Sequence, residues 1–193
     1  MRKRLCQNSY PRYNRAMPIL DRYNPILRQK SAPVPAEKIG KPEISRVIAE
    51  MKSVLAIQDD AVAIAAPQIG APLRIFVVAG RVLSALSKKN ATGDGVVNVP
   101  DQTFINPEII KRSRKKDFME EGCLSVRWLY GKVRRSQSVT VKARDELGAE
   151  ITRGASGLLA QIFQHEIDHL DGILFVDSAK YLIEIPPRAK NHE

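Results

Sequence analysis

The sequence predicts one globular domain that combines a few α-helices with several short β-strands. Two segments, 42–57 and 158–170, repeat apolar residues at helical spacing. Short apolar runs bounded by glycine, proline or charged residues lie between these segments, as is typical of strands. The 193 residues, of which 44% are hydrophobic and 27% charged, suffice for one domain with a complete core.

The chain divides into a basic N-terminal arm at 1–16, a single domain at 17–178 and a short tail at 179–193. Arginine and lysine dominate the charged residues of the arm, and no acid occurs before Asp21, which is typical of a disordered basic segment. A transit peptide is the alternative, because such peptides are also rich in arginine and poor in acids. Met17 is a candidate for the true start of the chain.

Charge and hydropathy restrict the classes of partner. The net charge of +10 favours contact with a polyanion, although 21 acidic residues among 31 basic ones equally indicate a generally basic surface. No apolar run reaches the roughly 18 to 20 residues of a membrane helix, and the N-terminus lacks the apolar core of a secretory signal. We therefore expect a soluble, intracellular protein. Its two cysteines, Cys6 and Cys123, do not indicate a disulfide framework.

The first predicted elements are an extended segment and a helix. The prolines between Pro18 and Pro42 exclude a long helix, so this segment should run extended over the surface. From Pro42 to Ile57, an apolar stripe at helical spacing predicts a helix that faces the core. The stripe consists of Ile44, Val47, Ile48, Met51 and Leu55.

The middle of the chain predicts two strands around an irregular stretch. The small residues of Ala61–Gly70 allow another backbone or a ligand to come close. Leu73–Ala79 is predicted to form a buried strand, and 80–102 an irregular surface excursion. A further strand begins at Thr103 and is expected to break at Pro107.

The next stretch predicts a loop and further strands. The basic run Lys111–Lys116 is expected to be a solvated loop, with phosphate binding as the alternative. Cys123 follows a glycine in a turn. Valines that alternate with charged residues over 133–144 predict strands, and a turn follows at 146–148.

The pattern His-Glu-x-x-His at His165, Glu166 and His169 is the strongest chemical signal of the chain. Residues four apart on a helix lie one above the other, so both imidazoles point into one space and can hold a transition metal. Glu166 can then reach a metal-bound water without being a ligand. Two ordinary, satisfied histidines on a helix are the alternative. Because only three histidines occur in the chain, the grouping favours a hydrolytic metal centre.

An open catalytic metal site generally needs a third protein ligand beside water. Cys123 is the favoured candidate because it lies in a glycine-flanked turn among predicted strands. A buried structural cysteine is the alternative for that residue. One of several acids, or His192 in a C-terminus that is expected to fray, also stays open as a ligand.

Three motifs together resemble those of peptide deformylases, in the same order and with agreeing spacing. They are the runs Ala65–Gln68, Glu121–Ser125 and Gln164–Gly172. The resemblance covers about residues 17–176. It implies an α+β fold in which mostly antiparallel strands wrap around a central metal-binding helix.

The resemblance implies that Cys123, His165 and His169 bind one divalent metal. The family metal is ferrous iron (Fe2+), which Zn2+, Ni2+ or Co2+ can replace, and the ligand set alone suits zinc equally well. The implied substrate is the N-formylmethionyl end of newly made polypeptides, and the reaction releases formate. A cytoplasmic enzyme of bacterial type is expected, with import into an organelle as the alternative.

The resemblance also assigns roles to further residues. Glu166 would carry a proton from water to the departing amine. The side-chain amide of Gln68 and the backbone N–H of Leu124 would stabilise the oxyanion. Three residues are expected to contact the substrate: Ala63, Ile64 and Trp128.

Supporting residues and partners are expected as well. Glu121 and Asp168 are candidates for orienting the metal ligands, and Arg135 for pairing with Glu121, with ordinary surface ion pairs as the alternative. Contact with the ribosome through the basic surface is expected, without membrane binding and without sequence-specific recognition of nucleic acid.

The chain departs from the family pattern in two places. Ala61 and Ala63 stand where the family usually has glycines, so they would be strained if positive φ is needed and would otherwise narrow the substrate groove. Arg127 stands where proline is common, and with Trp128 it either reshapes the rim of the groove or covers the core.

Two other functions share part of this pattern. A zinc endopeptidase shares the helical motif, but a cysteine ligand far upstream disfavours it. A catalytically silent, metal-stabilised protein on the ribosome is compatible with the two alanines. The presence of Glu166, Gln68 and Cys123 speaks against it, because a structural metal needs neither a base nor an amide donor.

Overall fold

The computed structural model describes residues 19–88 and 98–186. The predicted arm, with Cys6, and residues 187–193, with His192, lie outside the described residues. In chain order the helices and strands are α1 (Pro42–Ile57), β1 (Ala63–Ala65), β2 (Ile75–Val78), α2 (Gly80–Lys88), β3 (Gln102–Arg112), β4 (Lys116–Gly122), β5 (Leu129–Ser136), β6 (Ser138–Arg144), β7 (Glu150–Ser156), α3 (Gly157–Leu170) and β8 (Lys180–Glu184).

The strands form two antiparallel sheets around α3. One sheet has the order β1-β2-β3-β6-β7 and the other the order β4-β5-β8. Every pairing between these strands is antiparallel. Helix α3 contacts strands of both sheets, so the α+β architecture with a central helix is confirmed. Within the described ranges, no helix has the length and apolar character needed to cross a bilayer.

The core beneath α3 contains three aromatic rings in mutual contact. Phe76 of β2 stacks on Phe104 of β3 with ring centroids 4.6 Å apart, and Phe163 of α3 meets Phe104 edge-on at 5.0 Å. All three side chains are fully buried. Since aromatic pairs in such arrangements add to the free energy gained from burial, this cluster holds α3 against the larger sheet.

Both predicted helices begin and end where the sequence indicates. Pro42 occupies the first turn of α1, where its missing N–H costs no hydrogen bond. Gly172 directly follows the end of α3 with a φ of 76°, a left-handed conformation that glycine adopts without strain. A Cβ at this position would also lie 2.8 Å from the backbone of Arg28, so the tight end of α3 requires glycine.

The prediction that 80–102 is irregular was wrong for its first part. Helix α2 forms there because Leu83 is buried, while Val82 and Leu86 pack on the larger core. Asp101 caps the helix by accepting a hydrogen bond from Gly80 N–H at 2.7 Å. A short helix held by such distant contacts has a weak local signal.

The predicted break at Pro107 was also wrong, because β3 continues through it. The register with β6 shifts between Ile105 and Glu108, so the proline lies in a bulge where no ladder hydrogen bond is lost. Asn106, with a φ of 51°, exchanges two 2.8 Å hydrogen bonds with the backbone of Val34. These contacts stabilise the bulge.

Two further segments take part in sheets. Much of the run expected to be a basic loop belongs to strands, with only 113–115 forming the turn between β3 and β4. Within the segment assigned to the tail, β8 pairs with β5 through Leu129 and Glu184 and through Tyr130 and Ile183.

Candidate metal centre and active site

Helix α3 presents both motif histidines to Cys123, which follows β4 directly. The Sγ of Cys123 lies 3.2 Å from Nε2 of His169, and the two imidazole rings have centroids 4.9 Å apart. The sulfur and one ring nitrogen of each histidine all lie within 4.8 Å of one another. The three predicted ligands are therefore brought together from separate parts of the chain.

Gly122 lets the chain pass close to β5 just before Cys123. A Cβ at Gly122 would lie 2.7 Å from the ring of Tyr130, which pairs with it across the two strands. A side chain here would displace the tyrosine or the strand. The glycine thus helps to set the position of the cysteine sulfur.

Arg135 of β5 joins two carboxylates behind the histidines. Its Nε and Nη2 donate to the two carboxylate oxygens of Glu121 at 2.7 and 3.0 Å, and its Nη1 donates to Asp168 at 2.5 Å. The predicted pair of Glu121 with Arg135 is present and buried. Glu121 also lies 2.9 Å from Nδ1 of His165, which leaves Nε2 of that ring as the nitrogen that can face a metal.

Burial and neighbouring charges change the pKa values of three acidic groups. Burial raises the pKa of the Cys123 thiol, but the charge of His169 and hydrogen bonds with both histidines outweigh it, and the pKa falls to about 5. Burial likewise opposes ionisation of Glu121, whose hydrogen bonds with His165 and Arg135 lower its pKa to about 2. For Glu166, burial prevails and raises the pKa to about 7. The site therefore favours a thiolate beside a carboxyl group that titrates near neutral pH.

Gln68 is held in one orientation by its own loop. Its Oε1 accepts a 2.9 Å hydrogen bond from the backbone N–H of Ala65, so its Nε2 must face the other way. This Nε2 donates to Ser125 Oγ at 3.2 Å and lies 3.6 Å from Cys123 Sγ. The backbone N–H of Leu124 has no acceptor within the described part of the chain. The amide of Gln68 thus lies beside the sulfur, and the N–H of the residue after Cys123 is unused by the described residues.

A cavity of ≈ 270 Å³ opens beside these groups. Among its lining residues are Ala63, Gln68, Leu124, Trp128 and Glu166. Glu166 is only 4% exposed, and its Oε2 has no hydrogen-bond partner among the described residues. A buried carboxylate oxygen without a partner is costly, so it is suited to bind a polar group that enters the cavity.

The side chain of Ile64, a predicted substrate contact, does not face the cavity. Ile64 is fully buried in the core formed with α1 and does not line the cavity. Neighbouring residues of a strand point to opposite faces, and Ala63 takes the cavity side of β1.

The two alanines that replace family glycines are not strained. Within the described ranges, the only residues other than glycine with positive φ are Asn106 and Tyr181. Ala61 and Ala63 both line the cavity, so their methyl groups reduce its width.

Arg127 connects the two walls of the cavity, which the sequence did not reveal. Its Nη1 donates to Asp60 at 3.1 Å and its Nη2 to the side chain of Gln58 at 2.7 Å. Arg127, Trp128 and Asp60 all line the cavity. The residue in place of the usual proline therefore belongs to the rim.

Ser125, which accepts a hydrogen bond from Gln68, was also missed from the sequence, because serine has no distinctive spacing signal.

Comparison with known proteins decides the family. The family model described as polypeptide deformylase matches residues 16–183. The chain belongs to the polypeptide deformylase family. A deformylase from Halothermothrix orenii is 42% identical over 154 residues, which are 80% of this chain and 87% of that protein. The chloroplastic/mitochondrial deformylase 1A of Arabidopsis thaliana is 38% identical, over 80% of this chain and 58% of its own length.

Solved deformylase structures share the fold. The actinonin-bound class I type b deformylase of Acinetobacter baumannii has a TM-score of 0.72 and 32% identity, with 86% of this chain and 99% of that chain covered. The Met-Ala-Ser-bound structure of the same enzyme has a TM-score of 0.71 and 31% identity, over 84% of this chain and 98% of that one. As a member of the family, the chain is a metal-dependent hydrolase that removes the N-terminal formyl group from newly made polypeptides.

The residues present fit the metal that deformylases need. One thiolate and two imidazoles are a donor set for a divalent transition metal in tetrahedral geometry. Zinc bond lengths to sulfur and nitrogen place neighbouring ligand atoms about 3.5 Å apart, close to the 3.2 Å between Cys123 and His169. Glu121 supplies the carboxylate that commonly orients a ligating histidine.

Loss of Arg135 should destabilise this deformylase strongly. We expect Arg135→Met to lower the free energy of unfolding by about 3 to 5 kcal/mol, because Glu121 would stay buried without its cation. Urea unfolding of the metal-loaded protein measures this loss in the free energy of unfolding. Lys142→Met is the matched control, since Lys142 and Glu150 form an exposed pair at 3.4 Å that should contribute less than about 1 kcal/mol. Equal losses in the two variants would contradict the importance given to burial.

Proposed function

We propose that Cys123, His165 and His169 bind the single catalytic divalent metal, and that it is Fe2+ in the native enzyme, with Zn2+, Ni2+ or Co2+ as replacements. One observation carries the proposal: the three ligand atoms lie together beside a cavity that also contains an unpartnered oxygen of Glu166. A purely structural metal would not require that carboxylate. When bound, the metal would supply a Lewis acid that lowers the pKa of water and polarises the formyl carbonyl.

The cavity would hold the formyl-methionyl end of the polypeptide. Ala63 and Trp128 line it, so they provide apolar contact for the methionine end, and Ile64 supports the wall from behind. Gln68 Nε2 and Leu124 N–H would donate to the oxygen of the formyl group as it becomes negatively charged. Because Ala65 already holds the amide of Gln68, this donor requires little reorganisation when charge develops.

Glu166 would carry the proton of the reaction. Its free Oε2 can accept a proton from the attacking water and deliver it to the nitrogen of the departing amine. Burial keeps bulk water from competing for this oxygen. Formate and a polypeptide with a free amino terminus are then the products.

The experiment that tests this function is release of formate from formyl-Met-Ala-Ser. Protein purified without oxygen would be assayed for formate and, on the same sample, for iron, zinc, nickel and cobalt. We expect formate release with about one metal per chain. Metal without formate release would instead support the silent binding protein.

Gln68→Ala should slow formate release by about 100-fold to 1,000-fold while leaving metal content unchanged, because one oxyanion donor is removed. Gln68→Glu is a sharper variant: it keeps an acceptor for Ala65 N–H but replaces the donor by a carboxylate oxygen. It should be at least as slow as the alanine variant. Unchanged kcat in either variant would remove Gln68 from the oxyanion site.

We also propose that the enzyme contacts the ribosome through its basic surface. The net charge of +10 supports an electrostatic, sequence-independent mode, and newly made polypeptides emerge from that particle. Co-sedimentation with ribosomes should weaken steeply as salt increases.

Within the cell we place the enzyme in the cytoplasm, or in an organelle that makes its own proteins. Fractionation of the source cells distinguishes the two.

A further inference from the structure

The turn between β3 and β4 concentrates positive charge, and the acid that follows it, Asp117, accepts a hydrogen bond from Gln137. Five cationic residues within six positions are all exposed: Lys111, Arg112, Arg114, Lys115 and Lys116. None of them takes part in an ion pair among residues 19–88 and 98–186. By contrast, Lys142 and Arg144 on the same sheet both lie within 3.4 Å of Glu150. We use the name basic hairpin for the segment 111–116, which joins β3 of the larger sheet to β4 of the smaller sheet; these two strands do not pair with each other.

The fold of the basic hairpin does not depend on these charges. Ser113 N–H donates to Ser138 O at 2.9 Å, and Gln137 N–H donates to Lys115 O at 3.0 Å. Ser113 Oγ also donates to Lys115 O at 2.8 Å. Backbone and hydroxyl contacts thus hold the turn, and no described contact requires the long cationic side chains. Five like charges so close together repel one another, so they are costly unless an anionic partner binds them.

Several exposed cations also lie between the basic hairpin and the cavity. Strand β4 begins at Lys116 and ends at Gly122, directly before Cys123, and at the rise of a strand this is about 20 Å. On the exposed face of the sheet, Arg134 lies opposite Phe118, and Lys132 lies opposite Glu120, with which it forms an exposed ion pair at 3.9 Å. Lys180 pairs with Lys132 from β8. An anionic partner on the hairpin would therefore lie close to the substrate entrance.

We propose that the basic hairpin binds the phosphate backbone of structured RNA and so holds the cavity near the newly made chain. Backbone phosphates have the spacing and charge to engage several exposed lysines and arginines at once, without reading the base sequence. The turn 113–115 itself contains only serine, arginine and lysine, which favours contact with phosphate groups over insertion into a bilayer. Ile110 and Phe118 on either side are half-exposed, so binding to an anionic membrane surface is the outcome that the test separates from RNA binding. The biological purpose of this binding rests on the proposed function, whereas RNA binding itself can be tested independently of it.

The test compares two triple variants of the metal-loaded full chain that remove the same charge. One is Lys111→Gln, Arg114→Gln and Lys115→Gln in the hairpin. The control is Lys30→Gln, Lys41→Gln and Arg46→Gln, three exposed cations elsewhere that form no ion pair among the described residues. Fluorescence anisotropy with a labelled RNA stem-loop is measured at several salt concentrations, and formate release from formyl-Met-Ala-Ser is measured in parallel.

We expect the hairpin variant to bind the RNA at least about tenfold more weakly and to reduce the slope of log K against log salt by about 2 to 3, because three phosphate contacts are lost. The control should change affinity less than about threefold, and formate release should be equal in all three proteins. Equal weakening in both variants, or no RNA binding by the unaltered chain, would overturn the inference. Binding to phosphatidylserine vesicles but not to RNA would also overturn it. RNA binding through the hairpin without formate release would support this inference and count against the proposed function alone.

Discussion

Replacing Glu166 by glutamine will leave about one metal per chain and slow formate release by about 100-fold to 10,000-fold, the usual range for loss of a general acid–base group. Glutamine has nearly the same shape, so the core of α3 should stay packed. It cannot accept the proton of water at neutral pH or return it to the amine. Single-turnover release of formate, with metal content determined on the same sample, measures the effect.

The matched control for this variant lies on the same helix. Gln164→Glu makes the reverse change two residues earlier, at a buried side chain that bonds to both backbone groups of Ser136. We expect it to lower stability but to affect turnover per folded, metal-loaded chain far less than Glu166→Gln. Full turnover in Glu166→Gln would show that another group carries the proton.

Replacing Cys123 by alanine will impair retention of the metal, on which catalysis depends. A thiolate is the only anionic ligand in the set, and its loss leaves two imidazoles, so we expect metal content after dialysis to fall at least about tenfold. Because metal binding stabilises the folded chain by mass action, added metal should raise the Tm of the unaltered protein and not that of Cys123→Ala.

Cys6→Ala is the control for that experiment, since Cys6 is the only other cysteine of the chain. It should retain metal, activity and the response of Tm to added metal. Near-stoichiometric metal in Cys123→Ala after the same dialysis would remove Cys123 from the ligand set. Retention of metal in only the Cys6→Ala protein would support the ligand assignment.

The sequence determined the metal-binding helix and the chemistry that it can perform. The apolar stripe of α3, the histidines four residues apart and the terminating Gly172 are all local features, and local spacing on a helix dictates which side chains share a face. The same holds for α1. The period of two along β1, which places Ala63 and Ile64 on opposite faces, is a local feature of the same kind.

Only the tertiary structure decided how distant residues meet. It brings Cys123 within 3.2 Å of His169 and fixes Gln68 beside it; it also spans the cavity walls with Arg127. It produces α2, the unbroken β3 and the pairing of β8 as well. Each of these depends on partners far along the chain, whose burial and hydrogen bonds outweigh local propensity, and such contacts have no periodic signature in a single sequence.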